Sequence, residues 1–356
     1  MNTVKPLSPV AQSRAVLEGV PRIGYDVHLC PLIGSLFSIM QFRGDPCDYD
    51  LLMGASGAAF RRLYNRDDGG NIDLMYLHPE PMRRAAIALN YDLHEVPLDR
   101  AQMMSAIRDN IAQSLPVIGF GIIGPPEAGI ITGYDDGGET LVGWSYFQND
   151  EKHETISIET SGYSRRSHWF ELMQHGKQQP GLVVVGVKNH SPGPSRRDIL
   201  KSTLAWAVDL ERTAQRAELP DHICGLAAAE AWAAGLEVDA DFPLDNPQAL
   251  GWRVMIHGDQ CTMLEERRNA SAFLRKMTGA AGAASPHLAK AAELFQRVAD
   301  EMPYIWPWGL DMSTIGPKLA DRAARRRIAE HIRITAQIES QAVDELEEAI
   351  RSLSAA

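Results

Sequence analysis

The chain has 356 residues, and its 35 Lys and Arg against 46 Asp and Glu leave a formal charge of −11. That acidic balance argues against nucleic acid as a partner, because neutralising phosphates needs a basic field. Four cysteines are too few for a disulfide scaffold, while 45% hydrophobic and 23% charged residues suit a folded chain long enough for two domains.

No run approaches the ~20 apolar residues that span a bilayer, so no membrane association is expected. The first 20 residues lack the continuous apolar core of a secretory signal. The expectation is a cytoplasmic protein with reduced thiols. There is no Walker loop and no Gly-x-Gly-x-x-Gly ahead of a helix, so no cofactor is expected. Composition leaves the oligomeric state open.

In chain order, Pro31–Phe42 reads as a helix: Ile33, Leu36, Phe37 and Met40 share a face, Pro31 suits the first turn and Gly44 supplies a stop. Glu80–Leu89 and residues 99–115 read as two further helices. The pattern then changes to short apolar runs at 117–123, 129–134 and 140–147. Asp135-Asp136-Gly137-Gly138 is a hairpin signal between the last two. Runs at 155–159 and 182–187 bring the count to about five strands, antiparallel by the shortness of their links. Asn149-Asp150-Glu151 and Arg165-Arg166 read as exposed loops.

The segment 189–195 is rich in Pro, Ser and Gly and reads as a linker. Beyond it the pattern is helical: a helix capped by Ser195, then 224–236, 247–277, 286–302 and 317–353, most opening at or near a Pro. Arg325-Arg326-Arg327 and Glu345, Glu347 and Glu348 read as a solvated face of the last helix. Its acidic end opposes the helix dipole and is expected to fray. The domains expected are therefore residues 1–190, mixed α+β, and residues 191–356, all-α.

Cys30 directly precedes Pro31, at the N-cap of an apolar helix. A thiol there meets the positive end of the helix dipole, which favours the nucleophilic thiolate. A small buried cap residue is the competing reading. In the helical half, His222-x-Cys224 and His257-x-x-x-Cys261 are two short His/Cys pairs. The second has i,i+4 spacing on one helical face, with Glu265 a further turn on. Four such ligands can hold zinc, but the spacing matches no standard finger, and helix packing is the stronger reading. No metal site is expected. Trp306-Pro307-Trp308-Gly309 reads as a packing wedge.

Val20-Pro21, then Cys30 and a small-residue helix, resembles the opening of papain-like cysteine peptidases, in particular those that remove double-glycine leaders. Pro116-Val117-Ile118 and Gly129-Ile130-Ile131-Thr132-Gly133-Tyr134-Asp135 resemble their strand pair ending in a Gly-Tyr-Asp turn. The run 47–61, Gly124-Pro125-Pro126-Glu127 and Gly143-Trp144-Ser145-Tyr146-Phe147 are similar to proteins that carry the N-terminal domain of butirosin biosynthesis protein H. The resemblance spans residues 20–190. It continues more loosely through Gly225-Leu226, Ala231-Trp232 and 267–274. It implies a papain-like antiparallel sheet with a Cys-bearing helix, followed by an all-α helical domain, and acyl transfer or amide cleavage through Cys30.

The chain departs from that pattern at the catalytic positions. The family's His falls at Glu127 or its neighbour Ala128, its Asp or Asn falls in Gly143-Trp144-Ser145, and its oxyanion-stabilising Gln falls at Gly24, beside Tyr25. A His accepts the thiol proton and then holds the thiolate as an ion pair; an ionised Glu repels the thiolate. His28 is the nearest replacement base. Two readings stay open. In one, Cys30, with Glu127 and His28, acts as a cysteine-dependent acyltransferase or hydrolase on a small amine or peptide. In the other, a degenerate relative binds such a ligand without turnover, through Tyr25, Tyr134, Asp135, Trp144 and Ser145.

Overall fold

The computed structural model describes residues 13–45, 47–67, 79–148, 156–170, 181–308 and 312–354. The chain divides into two compact units: Met1–Pro46 with Leu93–Gly186, and Cys47–Asp92 with Val187–Ala356. The sequence reading placed one cut near 190. In the contact division the excursion 47–92 belongs with the helical part.

The first unit is an antiparallel sheet with helices packed on it. Its strands are β1 (Ala15–Val16), β3 (Tyr91–Val96), β4 (Val117–Phe120), β5 (Ala128–Asp135), β6 (Thr140–Trp144), β7 (Ile156–Ile158), β8 (Ser164–Ser167) and β9 (Leu182–Lys188). The order is β3-β9-β4-β5-β6-β8-β7, with β1 added to β5. β5 carries a bulge between Ile131 and Gly133, where β1 crosses close enough that a side chain at Gly133 would overlap Ala15 O. The unit also holds the helices α1 (Pro31–Phe42) and α4 (Arg100–Ala112).

Strand alternation decides which face each helix takes. Met103, Met104, Ile107 and Ile111 of α4 form one core cluster with Val117, Ile131, Tyr134 and Leu141. α1 also packs on β4 and β5. Since α4 covers the face of Val117 and Ile131, α1 covers the alternate residues, such as buried Ile118 and Ile130. α1 begins and ends as its sequence requires. Pro31 sits at its start, where a missing N–H costs nothing, and Gly44 at φ +71 donates its N–H to Gln41 O after the last turn.

The second unit is helical: α2 (Tyr49–Ser56), α3 (Glu80–Leu89), α5 (Arg196–Arg212), α6 (Gly225–Leu236), α7 (Pro247–Glu265), α8 (Arg267–Ala281), α9 (Ser285–Asp300), α10 (Met302–Ile305), α11 (Met312–Ala320) and α12 (Arg322–Ser354). β2 (Leu63–Tyr64) and β10 (Ile223–Cys224) form a small antiparallel pair. Ser195 caps α5 in a full capping box with Asp198, as expected. The α+β class, with an antiparallel sheet, a Cys-bearing helix and a helical C-terminal region, therefore holds.

Several boundaries differ from the sequence reading. The run 247–277 is two helices broken at Glu266, whose carboxylate turns inward to Arg61. The last run breaks at Asp321, which accepts from Ala324 N–H, so Pro317 lies inside α11 instead of opening α12. Arg165-Arg166 is not a loop: both lie on β8, and Arg166 is buried. A strand whose residues are all Ser and Arg shows no apolar alternation to find. Residues 149–151, Thr155 and Gly309 lie outside the described residues. Arg325 is not solvated. It is buried over the Phe242 ring and donates to Leu236 O, Leu319 O, Ala320 O and Asp239. α12 runs on to Ser354, because Arg212, His287 and Arg351 pair with its acidic end.

Candidate functional site

Cys30 occupies the N-cap of α1 with extended backbone, and its side chain makes no capping bond. It is fully buried. Position alone does not make it reactive: Cys224 holds the same N-cap place on α6, and burial pushes its thiol up. The Cα of Gly34 faces the side chain of Tyr146 and lies close to His28 Cβ. The His28 ring runs on along the helix to meet Phe37 edge-on, centroids 5.1 Å apart. Burial lowers the His28 pKa, so its neutral imidazole is favoured.

A cleft opens on the α4 side of the sheet. Gly119, Glu127, Gly129, Gly143, Ser145, Ser164 and Arg166 are among the residues lining it, and Cys30 is not. Its floor is bare backbone. Gly119 pairs with Gly129 across β4 and β5, and Gly143 pairs with Ser164 across β6 and β8. A Cβ on Gly129 would stand 2.8 Å from Trp144 O, and one on Gly143 would overlap Ile130 O. The strands therefore cross at these glycines only because side chains are missing. The cleft is narrow, with room for little more than one small polar or methyl group.

Glu127 belongs to the turn that enters β5. Its N–H donates to Pro125 O and its carbonyl accepts from Gly121 N–H, which fixes the loop. Its Oε2 accepts a 2.5 Å hydrogen bond from Tyr25 Oη. Tyr25 is held there by a turn in which Val27 and His28 N–H both donate to Gly24 O. Arg166 brings the opposite charge to the cleft, and burial lowers its pKa.

The structure thus brings together some expected residues and separates others. Tyr25, Glu127, Trp144 and Ser145 gather at one end of the sheet, where Trp144 pairs with Ile130 and Ser145 Oγ accepts from Phe147 N–H. Trp144 is a wall residue: its Nε1 donates to Val20 O at 2.8 Å and its ring packs on Tyr163. Tyr134 and Asp135 end β5, seven and eight residues past Glu127, about 23–26 Å along the strand by extended geometry. The Tyr134 ring lies in the α4 core under Arg108. Asp135 is held by Arg14 at 2.7 Å and Arg165 at 2.8 Å. Burial opposes its charge, but the Asp136 N–H and these two guanidinia win and keep its pKa below the usual carboxylate range.

Arg166 and Ser164 escaped the sequence reading. Glycines at 119, 129 and 143, falling where three apolar runs need side chains, were the available signal. In the second unit, the His257 to Cys261 spacing does put both on one face, with Sγ 3.8 Å from Nε2. That nitrogen also meets Ile305 O at 3.1 Å, and the ring packs among Trp232, Trp306 and Trp308. Burial drives the His257 pKa to about 4 and raises that of Cys261 well above its usual range. This is helix packing. Among the described residues no helix is long and apolar enough to cross a membrane. No known family matches the chain, and no well-characterised protein matches it in sequence.

Proposed function

We propose that the first unit is a papain-like domain of the butirosin biosynthesis protein H type. In this reading it binds the amine end of a small molecule or peptide at Glu127 and does not turn it over. One observation carries this: Glu127, at the position where the resemblance puts a catalytic His, lines a cleft that excludes the buried Cys30. A carboxylate cannot take the thiol proton and then stabilise the thiolate, but it is the natural partner of an ammonium. Arg166 would take a carbonyl or carboxylate on the same ligand.

Cysteine chemistry is the second reading, favoured by the place of Cys30 at the start of α1. One experiment separates the two. Calorimetric titration with glycinamide, run beside iodoacetamide labelling read by intact mass, should give binding that falls about tenfold or more in Glu127→Gln and persists in Cys30→Ser. Labelling of Cys30 well above Cys47, Cys224 and Cys261, with glycinamide binding lost in Cys30→Ser, would replace the binding reading with the catalytic one.

A further inference from the structure

Two carboxyl groups meet in the interior of the helical unit. Glu211 stands in the last turn of α5 and Glu339 in the middle of α12, and these two helices pack along each other. Both side chains are buried, as are the guanidinia of Arg62 and Arg267 that face them. Arg267 holds the pair side by side. Its Nε donates to Glu339 Oε1, and its Nη2 donates to Glu211 Oε1 at 3.0 Å. Those two N–H groups form the edge of a guanidinium that ordinarily takes both oxygens of a single carboxylate. Here that edge takes one oxygen from each of two carboxyls, which brings them into contact.

A hydrogen bond joins the Glu211 and Glu339 side chains, and two carboxyls can make one only with a proton between them. Like charges this close do not both ionise readily. The helices decide which side keeps the proton. Glu211 lies at the negative end of the α5 dipole, which disfavours its charge. Glu339 is mid-helix and has Arg62 2.6 Å from its Oε2, which favours its charge. Of the other charged groups nearby, Glu266 is paired with Arg61. Asp209 pairs with Arg216, and Arg212 with Asp344 and Glu347, at the surface of α5 and α12. The start of α6 presents only the backbone of Gly225 to the Glu211 carbonyl.

We propose that Glu211 and Glu339 share one proton, and that this proton latches α5 to α12. The acid form of Glu211 donates its O–H to the Glu339 carboxylate. When hydroxide takes that proton, the O–H bond breaks and water leaves. Two carboxylates then repel each other across the seam between the helices. The latch is closed in neutral solution and opens in alkaline solution.

Infrared spectroscopy of the full chain in deuterium oxide tests the proton, and hydrogen exchange read by mass spectrometry tests the latch. At about pH 6.5 the parent should show a carboxylic-acid carbonyl band that Glu211→Gln lacks, and raising the pH to about 9.5 should remove it. Glu339→Gln keeps an acceptor but removes the repulsion, so it should lower the pH at which the band disappears by about one unit or more. Over the same rise, exchange corrected for its intrinsic pH dependence should quicken about tenfold in α5 and α12 of the parent. It should stay within about twofold in Glu211→Gln, whose amide still donates to Glu339. An acid band missing from the parent, or unchanged in Glu211→Gln, would overturn the shared proton. So would a Glu339→Gln band that titrates as the parent's does, since burial alone would then hold the proton. A band that leaves at high pH without faster exchange would overturn the latch.

Discussion

At the residue scale, the chemistry most committed by the fold is a set of buried charges in the second unit. Arg61 pairs with Glu266, Arg62 lies 2.6 Å from Glu339, and Arg267 bonds Glu339 and, at 3.0 Å, Glu211. All six are buried. Arg267 also donates to the carbonyls of Ala59 and Arg61, which ties the segment after α2 to the break between α7 and α8. Each ionised group would be costly alone; the guanidinia and the ionised carboxylates offset one another, and burial keeps the proton on Glu211 at neutral pH. We expect Arg267→Ala to destabilise the fold by about 3–5 kcal/mol, because it strands two carboxyls in a dry site. Urea unfolding measures this, and a loss below about 1 kcal/mol would mean that water reaches the cluster. Nothing in the sequence marked these six charges as buried, since an Arg or Glu normally belongs to a solvated surface. Cys30 did stand out, because one dipeptide, Cys30-Pro31, fixes both the helix start and the cap.

At the element scale, α1 is set against its own glycine. Gly34 lies inside the helix, where alanine would ordinarily be favoured by about 1 kcal/mol. A Cβ there would overlap Tyr146 Oη and come within 3.1 Å of His28 Cβ. Gly34→Ala should therefore lose about 1–2 kcal/mol instead of gaining. A raised melting temperature would show that the Tyr146 ring yields to the new methyl group without cost. Helix starts and the hairpin around Asp135 were legible in the sequence, because Pro, Gly and Ser caps are local signals. β8 and the break at Glu266 were not. The first lacks apolar residues, and the second exists because a buried carboxylate turns toward Arg61, a partner 205 residues away.

At the scale of the whole molecule, the buried charges make stability depend on pH. Burial, and then the neighbouring Glu339, raise the Glu211 pKa to about 8. For Glu339 burial also opposes ionisation, but Arg267 and Arg62 outweigh it and lower its pKa. Because the folded state holds the Glu211 proton more tightly than the unfolded chain, its contribution is full below the ordinary carboxylate range. It is lost as pH rises toward about 8. Urea unfolding from pH 5 to 9 should show stability falling, on the order of a few kcal/mol, and Glu211→Gln should flatten that slope. A variant whose slope equals that of the parent would show that another group titrates.

The sequence by itself determined the class of the protein: helices and antiparallel strands first, helices after, and Cys30 at a helix start. Those features depend on neighbours within a few residues, through periodicity, caps and turn chemistry. Only the tertiary structure decided that residues 47–92 join the helical unit and that Tyr134 and Asp135 lie at the far end of β5 from Glu127. It also decided that Arg166, not a second carboxylate, shares the cleft. Strand pairing and burial set those outcomes, and both depend on residues brought together from distant parts of the chain.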